Sequence, residues 1–142
     1  MAVVADIDQL STAISHATAP AFMLGAVAGF LSILIARMER IVDRNRALQS
    51  GGAGALDPAV RDAIAKSFAR RMALLGRAIY FAVLSALVTA ALLISAFAAA
   101  LVGLGHGGIV ALMFVVALAL LMASLIELTR EIRVHLATMG LD

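Results

Sequence analysis

A run of 25 residues without a single charge, residues 78–102, constrains this chain more than any other feature. An α-helix needs about 20 apolar residues to cross a hydrocarbon core of about 30 Å, with about 17 as the lower limit. Two further charge-free runs, residues 20–36 and 109–126, hold 17 and 18 residues. Both stand near that limit, and their flanks can lengthen them. The runs are continuous rather than alternating and are rich in Ala and Leu, which favours helix over strand. A barrel would need many alternating strands of about ten residues each, and a chain of 142 residues with three such runs has no room for them. The expectation is an all-α membrane protein with three transmembrane helices.

Composition agrees. The hydrophobic fraction is 63% and the charged fraction 14%, against roughly 45–50% and about 25% in soluble domains. A soluble chain of this size would be left with large apolar surface patches, whereas a bilayer gives that surface a solvent. The pI of 9.9 suggests a nucleic-acid partner, but the net charge is only +2. The basic residues flank apolar runs, which is a membrane pattern, so no nucleic acid is expected. Without cysteine there is no disulfide, thiolate metal site or cysteine nucleophile. The segment Met1 to Asp8 has two aspartates and no positive charge, unlike the start of a cleavable signal peptide.

The arginines orient the chain. Arg37, Arg40, Arg44, Arg46, Arg61, Lys66, Arg70, Arg71 and Arg77 lie between the first and second runs, and Arg130 and Arg133 follow the third. Residues 1–19 and 103–108 carry no basic residue. Positive charge marks the cytoplasmic side. That places the N-terminus outside, residues 37–77 and the tail 127–142 inside, and residues 103–108 in an outer loop of a multi-pass inner-membrane protein.

The flanks are patterned as helices too. Ile7, Leu10, Ile14 and Ala17 oppose Asp6, Asp8, Gln9 and Ser11, which predicts a short N-terminal helix lying in the outer interface. Thr18 and Pro20 would then restart the chain as the first span. A single kinked helix is the alternative. On the inner side Met38, Ile41, Val42 and Leu48 continue the first span as an apolar stripe. Residues 49–56 read as a break, and Asp57-Pro58 as a helix start with a capping oxygen and proline at the first helical position. Val60, Ile64, Phe68 and Met72 follow at every fourth residue, as do Leu128, Ile132 and Leu136, with Met139 three further on. The three spans therefore extend into a cytoplasmic amphipathic helical bundle.

Pro20 opens the first span, residues 37–48 (RMERIVDRNRAL) close it, Arg70-Arg71 precede the second, and Glu131-Ile132-Arg133 follow the third. With these residues the chain resembles the bacterial membrane protein family catalogued as domain of unknown function 2721. The arginine-rich string is the most specific part of the likeness. The resemblance implies the three-span architecture and carries no activity, cofactor or catalytic residue.

Four groups of residues are candidate sites. Gly25 and Gly29 form a GxxxG face in the first span, and Ala82 and Ala86 lie on a small face of the second. Such faces let helix backbones approach closely. Packing of the glycine face against this chain's own second or third span is the favoured reading, the small face of the second being a match for it, with self-association the other. Arg40, Arg44, Arg46, Arg70 and Arg71 could hold anionic lipid headgroups or only set the topology. Asp43 stands three residues from both Arg40 and Arg46 and takes up part of that charge. Glu127, at the inner end of the third span, needs a cationic partner, for which Arg37 and Arg77 are the candidates. Its alternative role is as a gating or ion-binding carboxylate. Val60 and Ile64 stand beyond the reach of the other two extensions, if Arg37, Arg77 and Glu127 leave the membrane at one depth, and so are candidate partner contacts.

Other signals are weak. Ser85 and Thr89 are expected to bond to their own helix. His16 and His106, with Asp6 and Asp8, match no metal-ligand spacing, and no cofactor is expected. No nucleotide loop, triad or catalytic carboxylate pair is present, so the chain does not read as an enzyme. The expected function is that of a structural or accessory subunit, working by helix packing with itself as a homo-oligomer or within a larger membrane complex. The alternative is a small homo-oligomeric ion channel or transporter. The span centres hold no ionisable residue, which argues against proton-coupled transport.

Overall fold

The structure is a computed structural model that describes residues 2–50, 57–102 and 107–139. Three helices account for all of them but Asp57: α1 (Ala2–Ser50), α2 (Pro58–Val102) and α3 (Gly107–Met139). No strand occurs among the described residues. Each helix contains a stretch long and apolar enough to cross a membrane, within Ala17–Ala47, Pro58–Val102 and Gly108–Leu136. The charge-free runs are the parts that suit a hydrocarbon core, and each helix continues past them into charged sequence. Side chains such as Phe22, Ile94, Leu101 and Leu112 point away from the protein, as they should where lipid is the solvent.

The start of α2 forms as its residues dictate. The Asp57 side chain accepts a hydrogen bond from the Ala59 backbone N–H at 3.1 Å, and the Asp57 carbonyl accepts one from Arg61 N–H at 3.1 Å. Proline at the first position gives up no hydrogen bond there. Pro20, in contrast, does not open a helix. It lies inside α1, which is continuous from Ala2 to Ser50, so there is no separate N-terminal helix. Thr18 donates to the Ile14 carbonyl at 2.9 Å just before the proline. The side chains of Ile7 and Leu10 lie outside the described residues.

The helices pack on a heptad repeat. In α2 the buried residues are Leu75, Ala78, Ala82, Ser85, Thr89 and Leu92, spaced alternately by three and four. In α1 Pro20, Val27, Leu34 and Ile41 are buried at intervals of seven, as are Ala117, Ser124 and Glu131 in α3. A spacing of 3.5 keeps one seam in contact with a neighbouring helix over many turns. α2 is central and packs against both α1 and α3. Its small seam residues, Ala78 and Ala82, belong to the core with Met23, Val27, Leu34, Ile41, Leu75 and Ala117.

Hydroxyl groups lock the α2–α3 register. Ser85 donates to the Ala117 carbonyl at 2.8 Å, and Ser124 donates to the Ala78 carbonyl at 2.6 Å. The two bonds lie one heptad apart on each antiparallel helix and run in opposite directions. Thr89 bonds to the Ser85 carbonyl of its own helix at 2.8 Å. The expectation that these hydroxyls serve their own helix thus holds for Thr89, while Ser85 reaches across.

Candidate functional site

One further heptad along, the same register brings Arg71 of α2 opposite Glu131 of α3. Glu131 is fully buried. Arg71 donates from Nε to its Oε1 at 3.0 Å. Arg37, from α1, places its Nε 2.9 Å from Oε2, a close ion-pair contact in which Oε2 accepts no aligned hydrogen bond. One carboxylate therefore draws all three helices together. A buried carboxylate is tolerated only with such partners, and here two guanidinium groups share it.

The two arginines form part of the wall of a cavity of about 420 Å³ at this end of the bundle. Arg37, Arg40 and Arg44 come from one face of α1, at spacings of three and four. Arg71 comes from α2 and His135 from α3. Ile41, Ile64 and Phe68 supply apolar surface, and Asn45 and Ser67 supply polar groups. Arg40 and Arg44 are exposed and form no ion pair among the described residues. His135 lies well beyond the charge-free run of α3. Partial burial, and then the charge of Arg71, hold its imidazole below the usual value. Arg37 and Arg44 act in the same direction, and Glu131 opposes them.

A family model described as "Protein of unknown function (DUF2721)" matches residues 17–141. The chain belongs to this family. Comparison with curated proteins and with solved structures returns no match. The family thus fixes kinship, and chemistry has to be read from the residues themselves.

The expected ion pair is reassigned. Glu127 is buried, but its Oε1 accepts from Arg130 of its own helix at 3.2 Å, and its Oε2 has no hydrogen-bond partner. Arg77 is exposed and forms no ion pair among the described residues. Arg37 does pair with a carboxylate of α3, one turn beyond the expected one. The reason is register: the seam of α3 passes through Ser124 and Glu131, and α2 meets it at Arg71, six residues before Arg77.

That level also revises the helix extensions. Measured from the residues that meet at Glu131, α1 runs 13 residues further to Ser50 and α2 runs 13 back to Pro58, each about 20 Å. α3 runs only 8 to Met139, about 12 Å. The second extension does not outreach the first. Val60 is nonetheless 47% exposed, and Ile64 is half-buried between the basic cavity and a smaller apolar one of about 390 Å³ beside Val60. Residues 51–56, which could cover this tip, lie outside the described residues.

The small faces separate. Ala82 is buried and Ala86 half-buried in the core. Gly25 and Gly29 are exposed, and a Cβ built on either meets nothing within 4 Å. The glycines thus face away from α2 and α3, and the favoured reading of packing against this chain's own second or third span is corrected. Arg46 lies 3.9 Å from Asp43, both exposed, and Arg70 is exposed outside the cavity. Of the arginines expected at lipid headgroups, Arg40, Arg44 and Arg71 share the cavity. The His16 side chain and all of His106 fall outside the described residues, as do the Asp6 and Asp8 side chains.

Glu131, Ser124 and His135 are the residues that sequence reasoning passed over. The signal was the interval of seven from Ala117 through Ser124 to Glu131, hidden by the fourfold stripe of Leu128, Ile132 and Leu136. Leu136 of that stripe is 41% exposed.

Proposed function

We propose that this protein is a non-enzymatic structural subunit of the bacterial inner membrane that assembles with a second copy of itself through the Gly25–Gly29 face. The outward position of that face carries the reading. Glycine in a helix costs about 1 kcal/mol relative to alanine, and against lipid it returns nothing. Two glycines one turn apart let a second backbone approach closely, where van der Waals contact drives association. Ala21 and Ser32 are exposed and extend the same face along α1. A face of this kind is complementary to itself across a twofold axis.

The orientation in this reading has the N-terminus outside and the C-terminus in the cytoplasm, supported by the arginine distribution. A channel would need its pore between copies. Within the bundle Leu34, Leu75 and Leu92 are fully buried, and Ser85, Thr89 and Ser124 donate to backbone carbonyls.

Energy transfer between donor- and acceptor-labelled copies in lipid bilayers tests the proposal. It should be present in the wild type and lost in a Gly25→Leu, Gly29→Leu variant that keeps its helical content. Equal transfer in both, or none in the wild type, overturns the self-assembly reading.

A further inference from the structure

We propose that the cavity between the charged ends of α1, α2 and α3 binds a phosphate ester, whose phosphate oxygens are taken by Arg40, Arg44, Arg37 and Arg71 and whose organic part rests on Ile41, Ile64 and Phe68. This inference is independent of self-assembly. It starts from an imbalance of charge. Four arginines line the cavity, and among the described residues no carboxylate lines it. Among those residues Glu131 is the carboxylate that pairs with any of the four; it sits behind Arg37 and Arg71 and compensates a single charge. Three of the four positive charges are left facing an open volume of about 420 Å³.

The geometry favours a phosphate over a simple inorganic counter-ion. Arg37 and Arg71 each spend Nε on Glu131. Beyond Glu131 neither guanidinium pairs with another carboxylate among the described residues, and the contact with Glu131 holds each group in place. A guanidinium fixed through one edge is prepared to receive an oxyanion at the other without a further ordering cost. Arg40 and Arg44, exposed and one turn apart on α1, add two more guanidinium forks to the wall. Tetrahedral phosphate offers several acceptors for such donors. Asn45, Ser67 and His135 add neutral polar groups at the wall. The apolar floor is what distinguishes an ester from the bare ion, because a fully hydrated ion gains nothing from Ile41, Ile64 and Phe68.

Two sources supply this chemistry. Arg37 is the first charge after the apolar run of α1, and Arg44 stands about 10 Å further out. The cavity therefore spans the depth at which lipid headgroups lie, and it also opens towards water-soluble phosphate esters.

The full-length protein in neutral detergent is tested by thermal shift and by direct binding of two probes, glycerol 3-phosphate and phosphatidylglycerol, with phosphatidylcholine as the zwitterionic control. Arg40→Gln, Arg44→Gln is the cavity variant. Neither side chain contacts Glu131, so its melting temperature without ligand should match the wild type. Arg70→Gln, Arg133→Gln removes the same charge from exposed positions outside the cavity. Binding should weaken by at least about tenfold in the cavity variant, as expected when charge-assisted contacts are lost, and by less than about threefold in the control variant. Binding of both probes assigns the site to phosphate esters in general, and binding of phosphatidylglycerol alone assigns it to a lipid headgroup. Binding of neither probe overturns the proposal. So do equal losses in the two variants, which would reduce the effect to general surface charge, and phosphatidylcholine binding that equals that of phosphatidylglycerol and is unchanged in the cavity variant, which would reduce it to partition onto the apolar floor.

Discussion

Glu131 shows how much depends on one carboxylate at the right turn of a helix. Replacing it by glutamine strands two guanidinium groups around a buried, neutral amide whose NH2 faces one of them. Breaking a buried pair costs about 3–5 kcal/mol, and the partial exposure of the side chains of Arg37 (33%) and Arg71 (19%) puts this case at or below the lower end. Glu131→Gln should therefore lower the melting temperature in detergent clearly. In a double-mutant cycle with Arg71→Gln the losses should fall short of additive by about 0.5–3 kcal/mol. Glu127→Gln should change stability by about 1 kcal/mol or less, because its partner Arg130 is a solvent-exposed neighbour on its own helix. A loss at Glu127 as large as that at Glu131 would show that the charge is anchored one turn nearer the membrane. Sequence reasoning placed a carboxylate–arginine pair at this end and chose Glu127, the first charge after the apolar run. Both glutamates are buried and one turn apart, so burial alone does not separate them. The interval of seven through Ala117 and Ser124 singles out Glu131, but which arginine it meets depends on the register between antiparallel helices, set by contacts such as Ser124 with the Ala78 carbonyl, which no spacing within a single helix reveals.

At the scale of the elements, the existence and extent of the helices were legible because charge-free runs and amphipathic flanks are local properties. The Asp57-Pro58 start was legible for the same reason. The continuity of α1 through Pro20 was not, since proline reads equally as a first-turn residue and as an internal one. The facing of the glycines was partly legible. Gly25 and Gly29 each lie two positions from Val27, about 160° round the helix, so the buried seam through Val27 and Leu34 turns them outward. Fourfold spacing was given more weight than the interval of seven, and that choice obscured the seam. The seam makes its own prediction at Ser124, where a hydroxyl and little volume let α3 sit close on α2. Ser124→Ala should cost about 0.6 kcal/mol, the average for a hydrogen bond between membrane helices. Ser124→Leu forces bulk into the same contact and should cost about 1–3 kcal/mol. Melting temperatures of the two variants in one detergent decide the matter, and equal values would mean that α2 and α3 are not closely packed there.

For the whole molecule, alternating helix direction gathers every basic residue at one end. The eleven are spread over the second half of α1, the first half of α2 and the last turns of α3, and the meeting of Arg37, Arg71 and Glu131 shows that these parts converge. The opposite end holds the start of α1, with Asp6 and Asp8, the end of α2 and the start of α3, and the sequence between α2 and α3 has no Lys or Arg. Such a separation is strongly directional in a membrane, because short basic segments are retained on the cytoplasmic side. The natural chain has no cysteine, so single cysteines can be introduced and labelled in intact cells without background. Ser11 is exposed at the acidic end and Ser50 at the basic end of the same helix. A cysteine at Ser11 should react with a membrane-impermeant maleimide added outside, while one at Ser50 should react only after the cells are opened. The two sites lie 39 residues apart on one continuous helix, about 58 Å, further than the roughly 40–45 Å depth of a whole bilayer. They should therefore lie on opposite sides of a membrane that α1 crosses. The reverse pattern would invert the protein in the membrane. Reaction at both sites from outside would mean that α1 does not cross.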